Sequence, residues 1–249
     1  MKTSHKILVF AGIVPMFIVI LTVLSMKDIL EDTGDITLPY NDSHTRVKKE
    51  VLVKDFSKIS TDGRWGIHII QGDGFSVELE APEKIIDDIK LEKIDDTLFL
   101  VSRDKPFSKL VTPQASVTLP SISETYLQAS ITLPSISEIH LHGMTNLDLS
   151  GFDSETITIN AQDVSKISGM DNMIQQLTFT GNGILFLDMY DTTVTNAHIN
   201  YNGVYNMKVT IAGGRLSGQI SGIGTLHCRG DVGINNIEVL SPGRIAFTE

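Results

Sequence analysis

The chain has one cysteine, Cys228, among its 249 residues. That excludes an intramolecular disulfide and any cysteine-based zinc site. Pairing with the adjacent His227 is disfavoured, because neighbouring strand residues point to opposite faces, and Cys228 reads as a buried structural thiol. Positive charge is scarce too: 20 Lys and Arg stand against 30 Asp and Glu, a formal net charge of −10. Nucleic acid is therefore excluded as a partner, since phosphates are met by clustered cations. Cofactor signatures are missing as well. Gly181-Asn-Gly183 and Gly213-Gly214 are only fragments of a calcium-binding repeat, and Gly222-Ile-Gly224 lacks the rest of a dinucleotide fingerprint.

One long apolar run is present. Ile7 to Ser25 carries no charge, follows Lys2 and Lys6, and precedes Asp28, Glu31, Asp32 and Asp35. Its length suits a transmembrane helix, which tolerates Pro15, and the charge bias places residues 1–6 in the cytoplasm and the rest across the membrane, periplasmic or extracellular. The rival is a signal peptide that is cleaved to give a secreted protein, although no small-x-small site stands around Leu24-Ser25-Met26. Residues 26–50 are polar and turn-rich, and read as a flexible tether.

Order is expected from residue 51 onward. Over 51–113 the pattern is of hairpins. Trp65 to Ile70 and Phe75 to Glu80 flank the turn Gln71-Gly-Asp-Gly74, and Ile89 to Glu92 and Leu98 to Val101 flank Asp95-Asp-Thr97. Over 114–249 short alternating segments recur. Starting them at Ile139, Ile157, Leu177, Ala197, Gly218 and Ile237 gives steps of 18, 20, 20, 21 and 19 residues. A near-constant period with one strand signal per period predicts stacked coils, each burying its apolar face on the next. The inward column would be Leu141, Ile159, Phe179, Ile199, Ile220 and Val239. Asn182-Gly183, Asn202-Gly203 and Ile223-Gly224 mark corners. A β-sandwich of hairpins is the other reading of those turns. Residues 115–128 are repeated nearly unchanged by 129–142, which suggests an added narrow coil. The expected fold class is all-β: a parallel β-helix or solenoid with an N-terminal hairpin region, preceded by one transmembrane helix.

Phe56-Ser-Lys-Ile59, Trp65-Gly-Ile-His-Ile-Ile-Gln-Gly-Asp73, Phe75-Ser-Val-Glu-Leu-Glu-Ala81, Leu98-Phe-Leu100 and Val117-Thr-Leu-Pro120 come in an order that resembles the GIN-domain family of autotransporter-adhesin heads. The resemblance spans about Val51 to Phe247. It implies a β-helical domain outside the cytoplasm, in a bacterial cell envelope, with adhesion as its role and no established catalytic residues. Ser-Gly-Ser-Gly turns usual in that family are replaced here by Gly143-Met, Ala161-Gln-Asp, Gly181-Asn-Gly and Tyr201-Asn-Gly.

Chemistry is sparse. His140 and His142 share a strand face and could hold a metal with a third ligand, but the neighbours expected for them are weak ligands, so no metal site is assigned. Polysaccharide-cleaving enzymes need paired carboxylates or a calcium site with a basic residue. Asp153, Asp163, Asp171, Asp188 and Asp191 scatter across offsets instead. No catalytic residue is assigned. What remains is an outward strip, Tyr126, Gln128, His142, Asn160, Thr180 and Asn200, suited to hydrogen-bonding a linear glycan, with Tyr190, Tyr201 and Tyr205 as stacking platforms. The expected function is a non-catalytic, membrane-anchored recognition or adhesin-like module whose partners are glycans or envelope proteins. The alternatives are a structural or sensory envelope protein and a polysaccharide-active enzyme.

Overall fold

A computed structural model describes residues 45–102, 127–240 and 242–248. Strict apolar–polar alternation turns almost all of them into strand. In β6 (Leu127–Leu133), Leu127, Ala129, Ile131 and Leu133 are buried while Gln128, Ser130 and Thr132 are not. The other strands are β1 (Arg46–Val51), β2 (Lys58–Gln71), β3 (Ser76–Pro82), β4 (Lys90–Ile94), β5 (Thr97–Val101), β7 (Glu138–Ser150) and β8 (Asp153–Ala161). The chain then continues through β9 (Val164–Ala212), β10 (Arg215–Asp231), β11 (Ile234–Val239) and β12 (Arg244–Thr248). Among the described residues the one helical element is a 3-10 turn, Ile86–Asp88.

The twelve strands form one open sheet whose main path runs β1-β3-β6-β2-β7-β8-β9-β10-β11, with β12 on β10 and the β4–β5 pair on β2. From β2 onward along this path the pairing is parallel, and from β7 onward the register advances by twenty and then nineteen residues. Ile139 pairs with Ile159, Ile157 with Leu177 and Ile159 with Phe179, each twenty residues apart; Ile199 pairs with Gly218 and Gly218 with Ile237, nineteen apart. Each rung lays its apolar face on the next, so Ile139, Ile159, Phe179 and Ile199 are all fully buried. Burying a side chain of this size stabilises the fold by about 1.5–3 kcal/mol.

The expected fold class needs correction. In place of a β-helix with a leading hairpin region, the strands hydrogen-bond into an open sheet whose path ends, among the described residues, at β1 and β11. Among the described residues no helix is long and apolar enough to cross a membrane, and the run at 7–25 lies outside them. The hairpin expected between β2 and β3 does not form. β6 separates them, parallel to β2 (Ile69 opposite Ile131) and antiparallel to β3 (Val77 opposite Ile131). The second of the two duplicated segments thus fills the slot that a hairpin would have closed. β4 and β5 do pair as a hairpin, with Ile94 opposite Thr97 across Asp95-Asp96 and Asp95 at φ 53°.

Two expected alignments also move by two residues: Ile139 lies beside Ile159 rather than Ile157, and Ala197 beside Leu216 rather than Gly218. A slip of two keeps every side chain on its own face, so alternation alone cannot detect it.

Candidate functional site

Each rung presents two outward strand faces. The first carries the alternate residues of Glu138–Leu141 and Asp153–Ala161 and their successors; the second carries those of Met144–Ser150 and theirs. On the first face, Ser60 pairs with His140, His140 with Asn160, and Asn160 with Thr180. The same step of twenty leads to Asn200, which pairs with Gln219, and Gln219 with Glu238. A parallel column runs Lys58, Glu138, Thr158, Thr178, with His198, Ser217 and Asn236 above.

Charge sits at the ends of this face. Lys58 lies 3.3 Å from Asp96 and 3.7 Å from Glu138, and Glu138 accepts from His140 Nε2 at 2.8 Å. Thr158, Asn160, Thr178, Thr180, His198, Asn200, Ser217 and Gln219 between them are all uncharged. Hydrogen bonds between rungs fix several of these side chains. Asn200 Nδ2 donates to His198 Nε2 at 2.9 Å, which assigns the ring proton to Nδ1, 3.1 Å from Ser217 Oγ. Asn200 Oδ1 accepts the Gln219 backbone N–H at 3.0 Å. Asn160 Oδ1 is buried and accepts no hydrogen bond from the protein. The middle of the face is thus a preset row of hydroxyls and amides.

The structure brings together part of the expected strip. Asn160, Thr180 and Asn200 share one column. Gln128 does not join them: it pairs with Gly66 and Glu80, on the second face. His142 stands opposite Asp62, one column away, and Tyr126 lies outside the described residues. His140, His198 and Gln219 were missed, although counting back a constant twenty from Asn160 reaches His140. Tyr201 and Tyr205 are not platforms. Both are buried, with Tyr201 between Phe179 and Tyr205 at centroid distances of 6.2 Å, and burial pushes the Tyr201 phenol far above its ordinary range.

The second face is charged. His68 Nδ1 lies 3.1 Å from Asp148, and Lys208 donates to Asp188 at 2.8 Å, which raises the Lys208 ammonium above its ordinary range. The Tyr190 ring is flanked by Lys208 at 5.5 Å and the Arg229 guanidinium at 4.6 Å, and Arg229 also donates to the Tyr190 carbonyl. Among the described residues no three His, Cys, Asp or Glu are grouped to hold a metal.

The family described as "Putative auto-transporter adhesin, head GIN domain" matches residues 55–232 of the chain. The chain belongs to this family. A crystal structure of a putative adhesin from Bacteroides fragilis is similar at 16% identity and a TM-score of 0.57, over 83% of this chain and 98% of that one, and shares the fold. Putative adhesins from Parabacteroides distasonis (15% identity, TM-score 0.42, 83% and 98% covered) and Parabacteroides merdae (13%, 0.45, 84% and 98%) are also similar. Among curated proteins none matches.

Proposed function

We propose that this GIN-domain chain is a non-catalytic, adhesin-like recognition module, displayed outside the cytoplasm, that binds neutral glycans along its first face. The observation that carries this reading is the uncharged middle of that face. Linear polysaccharides present hydroxyls at regular intervals, and a row of Asn, Thr, Gln and Ser repeating at the rung spacing of ~4.8 Å offers matching donors and acceptors. The family's adhesin description supports the same reading and favours a non-enzymatic role.

The test is binding of the full-length chain to an immobilised panel of neutral and acidic polysaccharides. Asn160→Ala with Thr180→Ala is the informative variant, since these two paired residues stand in the middle of the uncharged row. Expected are saturable binding to a neutral glycan, a tenfold or greater loss in that variant, and little change in Lys166→Ala on the second face. Absence of binding across the panel, or equal loss from either face, would sink the reading.

A further inference from the structure

The two ends of the stack differ in what their edge strands show. Among the described residues the edges at the N-terminal end are β1 and β4, and each has a lysine at a core-column position. Lys49 pairs with Leu79, and Lys93 with Leu98. Lys49 is held there by Asp87 at 3.1 Å. A charge pointing towards the core is a standard guard against another strand adding to an edge, because docking would bury it. Arg46, Lys48 and Glu50 on β1 and Lys90 and Glu92 on β4 add further charge.

Among the described residues the C-terminal end has no such guard. β11 and β12 each pair only with β10 among the described residues. Their core-column residues are Asn235, Ile237 and Val239, and Ile245 and Phe247, opposite Leu216, Gly218, Ile220, Leu226 and Cys228 of β10. Leu216, Ile220, Leu226 and Cys228 are fully buried by this last rung, whereas Phe247 within it is 50% exposed. Ile234 and Leu240 beside it are exposed as well, at 47% and 38%.

We propose that this end is an interface between two copies of the chain, in which β11 of one copy pairs antiparallel with β12 of the other. The apolar, unguarded edge selects the same edge of a second copy over the lysine-bearing N-terminal end. Charge then fixes the register. Glu238 on β11 and Arg244 on β12 are outward residues of opposite sign, and placing them opposite each other puts Ile237 opposite Ile245, Asn236 opposite Ala246 and Asn235 opposite Phe247. Ile237 and Asn235 of the core column then meet Ile245 and Phe247, and the outward residues Glu238 and Asn236 meet the outward residues Arg244 and Ala246. The contact is two-fold, so each Glu238–Arg244 pair occurs twice and the assembly closes at two copies rather than growing into a fibre. This surface is separate from the glycan face and does not depend on that reading.

The test is sedimentation velocity of the full-length chain over a concentration series in mild detergent. Expected is a monomer–dimer equilibrium whose dissociation constant rises at least tenfold in Glu238→Arg and in Arg244→Glu, and returns to within threefold of the parent when both are combined. In a Cys228→Ser background, Asn236→Cys with Ala246→Cys should give a covalent dimer on oxidation, while Asn236→Cys alone should not. Both charged residues lie on the outer surface of the last rung, so a melting curve confirms that the variants are folded. A monomer at every concentration, single reversals without effect, or a double reversal that fails to restore would each overturn the proposal.

Discussion

Two columns of corners hold the rungs in line, and they do so by opposite means. One is built from glycine. Gly63 pairs with Gly143 and Gly203 with Gly222, while a Cβ added to Gly183 would stand 2.1 Å from the Asp163 carbonyl oxygen. Gly143, Gly183 and Gly222 have φ of 89°, 107° and 105°, where a side chain is strained as well as obstructed. Here the backbones approach because nothing lies between them. The other corner is built from a buried polar side chain. Asn172 Oδ1 accepts the Phe152 N–H at 3.0 Å, and its Nδ2 donates to the Leu149 carbonyl at 3.0 Å and to Thr192 Oγ1 at 2.9 Å. One amide spans three successive rungs and satisfies main-chain groups that the turn leaves over. The glycine corner relies on a conformation that recurs rung after rung, and the polar corner on one residue.

Breaking the glycine corner should cost most. Gly183→Val places Cβ against backbone rather than a movable side chain, and a β-branched residue at φ 107° is strained besides. The expected loss exceeds about 4 kcal/mol, read as a collapse of the urea midpoint or failure to accumulate as folded protein. Asn172→Leu should cost somewhat less, about 3–5 kcal/mol, because three buried partners lose their hydrogen bonds while the volume is nearly kept. Equal and small effects at both corners would dissolve the distinction. Asp163 sharpens it, being the non-glycine member of the glycine column at φ 64°. Its carboxylate accepts the Gly143 N–H at 3.0 Å. Asp163→Ala should cost about 1–2 kcal/mol and Asp163→Gly less than about 1, since glycine relieves the backbone while losing the same bond.

The glycine corner was legible in the sequence and the polar corner was not. Asn182-Gly183 and Asn202-Gly203 recur at the rung period and carry positive-φ residues, so pattern and local chemistry point the same way. Asn172 lies inside the long strand β9, and its role depends on Phe152 and Thr192, each twenty residues away. No local signal distinguishes an amide buried as a clamp from one in a solvated loop. The recognition strip divides likewise. Asn160, Thr180 and Asn200 were placed together because the step between them is a constant twenty. Gln128 was misplaced because β6 lies beside β2, in a slot that the sequence assigned to a hairpin, and His142 because β7 is shifted by two residues against β8. Parallel pairing over seventy residues or more, as between β2 and β7, leaves no trace in the spacing of turns.

The smallest effect makes Cys228 a reporter on the corners. The thiol is fully buried on β10, the same strand that carries the Gly222 corner, and burial pushes its pKa from 9.0 up to about 11. Alkylation near neutral pH should therefore be slow and should track opening of the last rungs. Gly222→Ala, which sets a Cβ 2.0 Å from the Gly203 carbonyl oxygen, should speed labelling at least tenfold. Asp163→Ala, three rungs away, should change it less than threefold if the rungs open locally, and equal acceleration by both would mean that the stack opens as one unit. The same thiol sets a pH dependence. The unfolded chain loses its proton first, near 9.0, while the folded chain holds it to about 11, so stability falls as pH rises through that window. The fall should be about 1–3 kcal/mol and absent in Cys228→Ala, as measured by urea midpoints at pH ~8 and ~11.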